Sequence, residues 1–181
     1  MSIDKKLWLL LVICLITNIC VGFMNAWSVF QRPMMALFDW ELSTLALAYS
    51  IMISAASFPM IIAGAAQRKF SPRAVMAFGG VMMGISSLAL GFTMSIPWLL
   101  IWAALLGAGT AFVYPVTVST MVPYFPERRG MISGLLAAGM GSGSIVWAPL
   151  SSLIIERTSA LTPFRIYGVV FLVLVCDWEC S

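Results

Sequence analysis

Four long intervals of this chain carry no charged side chain: Leu7–Gln31, Leu42–Gln67, Ala74–Pro126 and Gly130–Ile155. A membrane-crossing helix takes about 20 apolar residues, because about 30 Å of hydrocarbon is crossed at about 1.5 Å per residue. The first interval therefore holds one span, near Leu7–Phe30, and the second another, near Ser43–Ala66. The third is too long for one and breaks at Ser95-Ile96-Pro97, where proline suits the first turn of a new helix. Spans near Ala74–Met94 and Trp98–Met121 result, and the fourth interval gives one near Gly130–Ile154. A sixth follows Thr162-Pro163 over Ile166–Cys176, about half the length a span needs. Unpaired backbone polar groups are too costly in lipid, so the spans must be helices. The expected fold is an all-α membrane protein, a six-transmembrane-helix bundle occupying residues 1–181, with its sixth helix truncated.

Composition agrees. Apolar residues make up 61% and charged residues 9% of the chain, whereas soluble domains carry about a quarter charged. Disorder is excluded by the same hydrophobicity. The net charge of +3 is too small to suggest a nucleic-acid surface. With no histidine, there is no imidazole base, proton relay or His-based metal site, and no cofactor or metal is expected. Cys14, Cys20, Cys176 and Cys180 lack zinc-like clustering and read as apolar fillers.

Loop charge predicts orientation. Numbering the two sides alternately, one holds Lys5, Lys6, Arg68, Lys69, Arg73, Arg128 and Arg129, and the other only Arg32, Arg157 and Arg165. The richer side, with the N-terminus, is expected in the cytoplasm of a bacterial inner membrane. The first apolar run is about twice a signal-peptide core and its cleavage signal near Asn25-Ala26 is poor, so it reads as an uncleaved span. The closing Asp177-Trp178-Glu179-Cys180-Ser181 puts two acids where apolar residues should continue, and reads as the end of a fragment.

Inside the spans, Pro59, Pro115 and Pro149 predict kinks. Gly80 and Gly84, Gly130 and Gly134, and Gly139 and Gly143 are spaced for close helix–helix approach. Polar residues align in three stripes. Asn18, Gly22 and Asn25 share a face of the first span; Gly107, Thr110, Tyr114 and Thr117 share one of the fourth; Ser144, Trp147 and Ser151 lie near one of the fifth. Each residue alone reads as an interhelical hydrogen bond; the three stripes together predict a shared polar cavity. No ionisable group besides cysteine and tyrosine lies in the spans, so the counter-charge for an anionic substrate must come from elsewhere.

The loops carry a resemblance. Gly64-Ala65-Ala66-Gln67-Arg68-Lys69-Phe70-Ser71-Pro72-Arg73 resembles a degenerate loop signature of the major facilitator superfamily. Gly64, Lys69 and Arg73 match it; Arg68 stands where an aspartate is usual and Ser71 where a glycine is. Asn25-Ala26-Trp27-Ser28-Val29-Phe30 with Pro33, and Tyr124-Phe125-Pro126-Glu127-Arg128-Arg129-Gly130 before a small-residue helix ending Trp147-Ala148-Pro149-Leu150, are similar to the oxalate/formate antiporter family, which is monocarboxylate carrier-like. The fourth span has Ala103 near the place where many proton-driven drug exporters carry an arginine. The resemblance covers nearly the whole chain but only the N-terminal half of a twelve-span transporter. It implies two three-helix inverted repeats, a path lined by the first, second, fourth and fifth spans, and gripping basic residues in the second half.

The expected function is secondary active transport of small organic carboxylate anions by alternating access, with the missing C-terminal half or a second copy as partner in the bilayer. Substrate-path candidates are Asn18, Asn25, Thr110 and Tyr114 as hydrogen-bonding groups and Trp27 and Trp147 as apolar walls. Gly64, Arg68, Lys69, Arg73, Arg128 and Arg129 are gating-loop candidates. The alternatives are an exporter of drugs or neutral solutes from the same superfamily, and a truncated membrane protein without transport. An enzyme is disfavoured: Ser144 has no histidine base, and Glu127 and Glu156 fall on opposite sides of the membrane.

Overall fold

The computed structural model describes residues 3–180, with side chains over 7–173. The side chains of Lys5, Lys6, Cys176 and Cys180, and those of the closing acids, lie outside that range. Among the described residues every regular element is a helix: α1 (Ile3–Val21), α2 (Trp27–Phe38), α3 (Leu42–Ala66), α4 (Pro72–Leu90), α5 (Ile96–Met121), α6 (Arg129–Arg157) and α7 (Thr162–Cys180), with short 3₁₀ turns between some of them. The first span consists of α1, a 3₁₀ turn over Gly22–Ala26, and α2. Together with α3, α4, α5 and α6 it makes five segments long and apolar enough to cross a membrane; Thr162–Val173 of α7 is a shorter apolar stretch.

Three boundaries differ from those read off the sequence. The first span continues past Phe30 to Phe38, through Arg32 and Pro33, so it includes one exposed arginine that the charge-free reading placed outside it. It stops at Asp39, which takes a left-handed conformation (φ 54°) and donates its N–H to Met35 O at 2.9 Å; aspartate tolerates that conformation better than most residues. Helix α4 ends at Leu90, four residues before Met94, with Gly91 and Thr93 turning back onto Ser87 O and Leu90 O. Helix α7 starts at Thr162 because Pro163 already has helical φ, and its backbone continues to Cys180.

Helix pairing is orderly. Helix α5 packs along α3 and α4, α4 along α7, and α1 with the 3₁₀ turn along α6. Exchanging the first three spans for the last three turns the α3–α5 pair into the α6–α1 pair and maps α4–α7 onto itself, whereas the α4–α5 packing has no counterpart of similar extent between α7 and the first span among the described residues. Two inverted three-helix repeats pair in this way. The prolines obey the same exchange: Pro33 and Pro115 interrupt the first and fourth spans, Pro59 and Pro149 the second and fifth.

Between helices in lipid, association rests on close packing, because tails are as apolar as leucine. Two glycines set the closest approaches. A Cβ on Gly22 would collide with Met140 O and the Gly143 backbone, and one on Gly107 with Met52 O. These are equivalent crossings in the two repeats. Gly84 likewise abuts Gly168 and Leu172, and Gly139 faces Leu15 and Asn18. Gly130 and Gly134 depart from the expected seam: nothing lies within 4 Å of where their Cβ would be, and the same holds at Gly141. The bundle's centre is aromatic. Phe23 meets Tyr167 at 4.9 Å and Phe164 at 5.7 Å, edge to face, and Trp147 meets Tyr167 at 4.7 Å.

Candidate transport path

The break in the first span positions the groups around it. At Gly22 the backbone changes from α to tighter 3₁₀ winding, which shifts the hydrogen-bond ladder by one residue and frees carbonyls just ahead of it. Ile19 O accepts from the Trp147 indole Nε1 at 2.7 Å. After the break, Asn25 is exposed and its Nδ2 donates to Met140 O at 3.2 Å. Both bonds tie the first span to α6 on either side of the Gly22–Gly143 crossing. Trp27 opens α2 and donates Nε1 to Leu45 O of α3 at 3.2 Å.

These bonds sort the substrate-path candidates. Asn18 is fully buried; its Nδ2 donates to Cys14 O at 2.8 Å and to Thr117 Oγ1 at 3.0 Å. Thr117 Oγ1 in turn lies 2.7 Å from Tyr114 O. Thr110 is buried and donates to Gly107 O at 2.7 Å, within its own helix. Asn18 and Thr110 thus sit in helix–helix seams, with their polar groups engaged. Trp27 and Trp147 are both buried in one apolar cluster, anchored by their N–H groups. Tyr114 and Met140 are half-buried against that same cluster. The structure therefore gathers Asn25, Trp27 and Trp147 around the break, places Tyr114 against the same apolar cluster, and sets Asn18 and Thr110 in the seams. The fifth-span stripe also divides: Ser151 is buried with its hydroxyl 3.0 Å from Tyr167 Oη, whereas Ser144 bonds its own Gly141 O and stays near the surface.

Two features were missed. Tyr49 stacks on Trp27 at 6.5 Å and 20° and borders the cluster. Ser50, Ser54 and Ser57 on α3 are all exposed, spaced i, i+4, i+7. The stripe test applied to the other spans finds them in the second as well. Met52, on the opposite face, is fully buried and contacts Gly107, so the serines point away from this bundle. On α6 the outward face carries Gly134, Ala138 and Gly141, opposite the buried Leu136, Gly139 and Gly143.

The gating-loop candidates occupy two sites at helix ends. Gly64 is exposed near the end of α3; Arg68, Lys69 and Arg73 are exposed in the turn into α4; Arg128 and Arg129 are exposed where α6 begins. Ser71, in the glycine place of the signature, caps α4: its Oγ accepts from Ala74 N at 3.3 Å. Gln67 ties the turn between α3 and α4 to α5, its Oε1 accepting from Ser119 Oγ near the end of that helix.

The sequence pattern of the Major Facilitator Superfamily matches residues 6–176. An uncharacterized MFS-type transporter, YhjX, of Escherichia coli (strain K12) is 25% identical over 95% of this chain and 43% of its own length. The oxalate:formate antiporter of Oxalobacter formigenes is 29% identical over 91% of this chain and 38% of itself. Monocarboxylate transporter 13 of Rattus norvegicus is 30% identical over 71% of this chain and 30% of itself. The chain spans less than half the length of these curated relatives. They are transporters and not enzymes. A match over nearly every residue, on six helices paired as two inverted triplets, places the chain in the major facilitator superfamily of multi-pass membrane transporters.

Proposed function

We propose that this chain forms one six-helix half of a secondary transporter for small organic carboxylate anions, and that the half rocks against a second bundle in alternating access. The observation that carries the reading is the outward face of α3. Three hydroxyls on a membrane helix, turned away from their own bundle, are poorly matched to lipid and well matched to a second helix layer or a wet path. The small-residue face of α6 is its counterpart under the repeat exchange. The second bundle is a C-terminal half or a second copy of this chain.

The substrate class follows from the relatives named for oxalate, formate and monocarboxylates. In this half the path offers neutral donors, Asn25 and Tyr114, beside Trp27 and Tyr49. The charge that holds a carboxylate then comes from the second bundle. The basic ends at Arg68, Lys69, Arg73, Arg128 and Arg129 face the cytoplasm of the inner membrane and meet the second bundle when that side closes.

The test is uptake of labelled oxalate, formate and lactate by the full-length gene product in proteoliposomes. Uptake is expected, with Asn25→Ala and Tyr114→Phe raising KM at unchanged protein stability. Transport of neutral drugs without carboxylates would overturn the substrate class. Unchanged kinetics in both variants would remove this cluster from the path.

A further inference from the structure

We propose that the cleft between the end of α6 and the start of α7 is a binding site for one anionic phospholipid. Helices α6 and α7 meet through the Ser151–Tyr167 hydroxyl pair, between which and their short connection they leave a gap. Beyond that pair lies a cavity of about 370 Å³ lined by Leu153, Ile154, Arg157, Thr158, Thr162 and Ile166. Its walls are aliphatic, and Leu153 (56% exposed) and Ile166 (41% exposed) continue them onto the bundle's outer surface. One cation stands at the mouth: Arg157, at the last position of the fifth span.

Depth and chemistry agree. A span ends where hydrocarbon gives way to headgroups, so Arg157 lies at headgroup level with the aliphatic walls below it. Its guanidinium fork matches a phosphate in shape and charge. The neighbouring hydroxyls are partly used: Thr158 Oγ1 lies 2.7 Å from Ile154 O, and Thr162 Oγ1 lies 3.2 Å from Ser159 Oγ. Arg157 is therefore the principal donor, and Thr162 adds the positive end of α7. Glu156 precedes Arg157 but does not line the cleft. A free anion would gain nothing from leucine and isoleucine walls, whereas an acyl chain fills them while its phosphate stays at Arg157.

The site is tested by native mass spectrometry of the delipidated full chain with phosphatidylglycerol or phosphatidylcholine. One phosphatidylglycerol is expected to bind, about five-fold more tightly than phosphatidylcholine, the effect of one basic residue at a membrane surface. Arg157→Gln should abolish the preference, Arg157→Lys should retain most of it, and Arg32→Gln, on the same side in another span, should leave it unchanged. Ile166→Trp, filling the cleft, should weaken both lipids and serves if Arg157→Gln does not fold. Equal affinity of the wild type for the two lipids would overturn the proposal, as would an unchanged preference in Arg157→Gln. Displacement of phosphatidylglycerol by inorganic phosphate at millimolar concentration would assign the cleft to a free anion and overturn it too.

Discussion

The Trp147 indole nitrogen lies 2.7 Å from the Ile19 carbonyl oxygen, at the place where the first span changes winding. A side chain of one helix completes the backbone hydrogen bonding of another, and so holds the break open in a fixed geometry. Trp147→Phe keeps an aromatic ring against Phe23 and Tyr167 but removes the donor. Interhelical hydrogen bonds in bilayers contribute about 0.6 kcal/mol on average and about 1.7 at most. A loss of stability in that range is expected on denaturant titration in detergent. No loss would mean that the carbonyl is equally well served without the indole.

The two backbone crossings make a sharper contrast. Gly22→Ala places a methyl on Met140 O and Gly143, so the first and fifth spans must separate. Overpacking of this kind costs about 1–3 kcal/mol. Gly107→Ala should behave alike at Met52 O. Within this six-helix bundle Gly134→Ala meets nothing, and helix propensity should leave the chain on its own neutral or stabilised by up to about 1 kcal/mol. If thermal unfolding ranks Gly134→Ala with Gly22→Ala, the crossing is not where the structure puts it.

Asn18 and Thr117 are 99 residues apart in sequence and bonded in the α1–α5 seam. A double-mutant cycle with Asn18→Ala and Thr117→Val should return a coupling of about 0.6–1.7 kcal/mol. If the full-length protein carries carboxylates as proposed, the same variants should leave its KM for them unmoved. A KM shift without coupling would return Asn18 to the path.

These cases show where sequence reading succeeds and where it stops. The spans were legible because charges must avoid about 30 Å of hydrocarbon, so the gaps between them mark helices directly. The α1–α2 break was not, since Gly22–Ala26 contains no proline and its winding depends on residues more than a hundred positions away, Met140, Gly143 and Trp147. Stripes were legible as helical faces, but whether a face meets a neighbour or open space is tertiary. Gly139 and Gly134 read alike in sequence, yet one abuts Leu15 and Asn18 and the other is open. Asn18 and Asn25 likewise share a face, yet depth in the seam buries one and exposes the other.

The outward serine face of α3 offers a test between a second bundle and bulk lipid. Cysteine thiols react with maleimides as thiolates, which need water nearby. In the full-length carrier, Ser54→Cys should react with a membrane-impermeant maleimide, whereas Met52→Cys, on the buried face, should not. The native Cys14 and Cys20 are buried and should contribute little background. Alternating access further requires that the Ser54→Cys rate change when oxalate or formate is added, because bound substrate shifts the balance between the two open states. If Ser54→Cys reacts only with a lipid-soluble maleimide and is insensitive to substrate, α3 faces hydrocarbon and the rocking interface lies elsewhere.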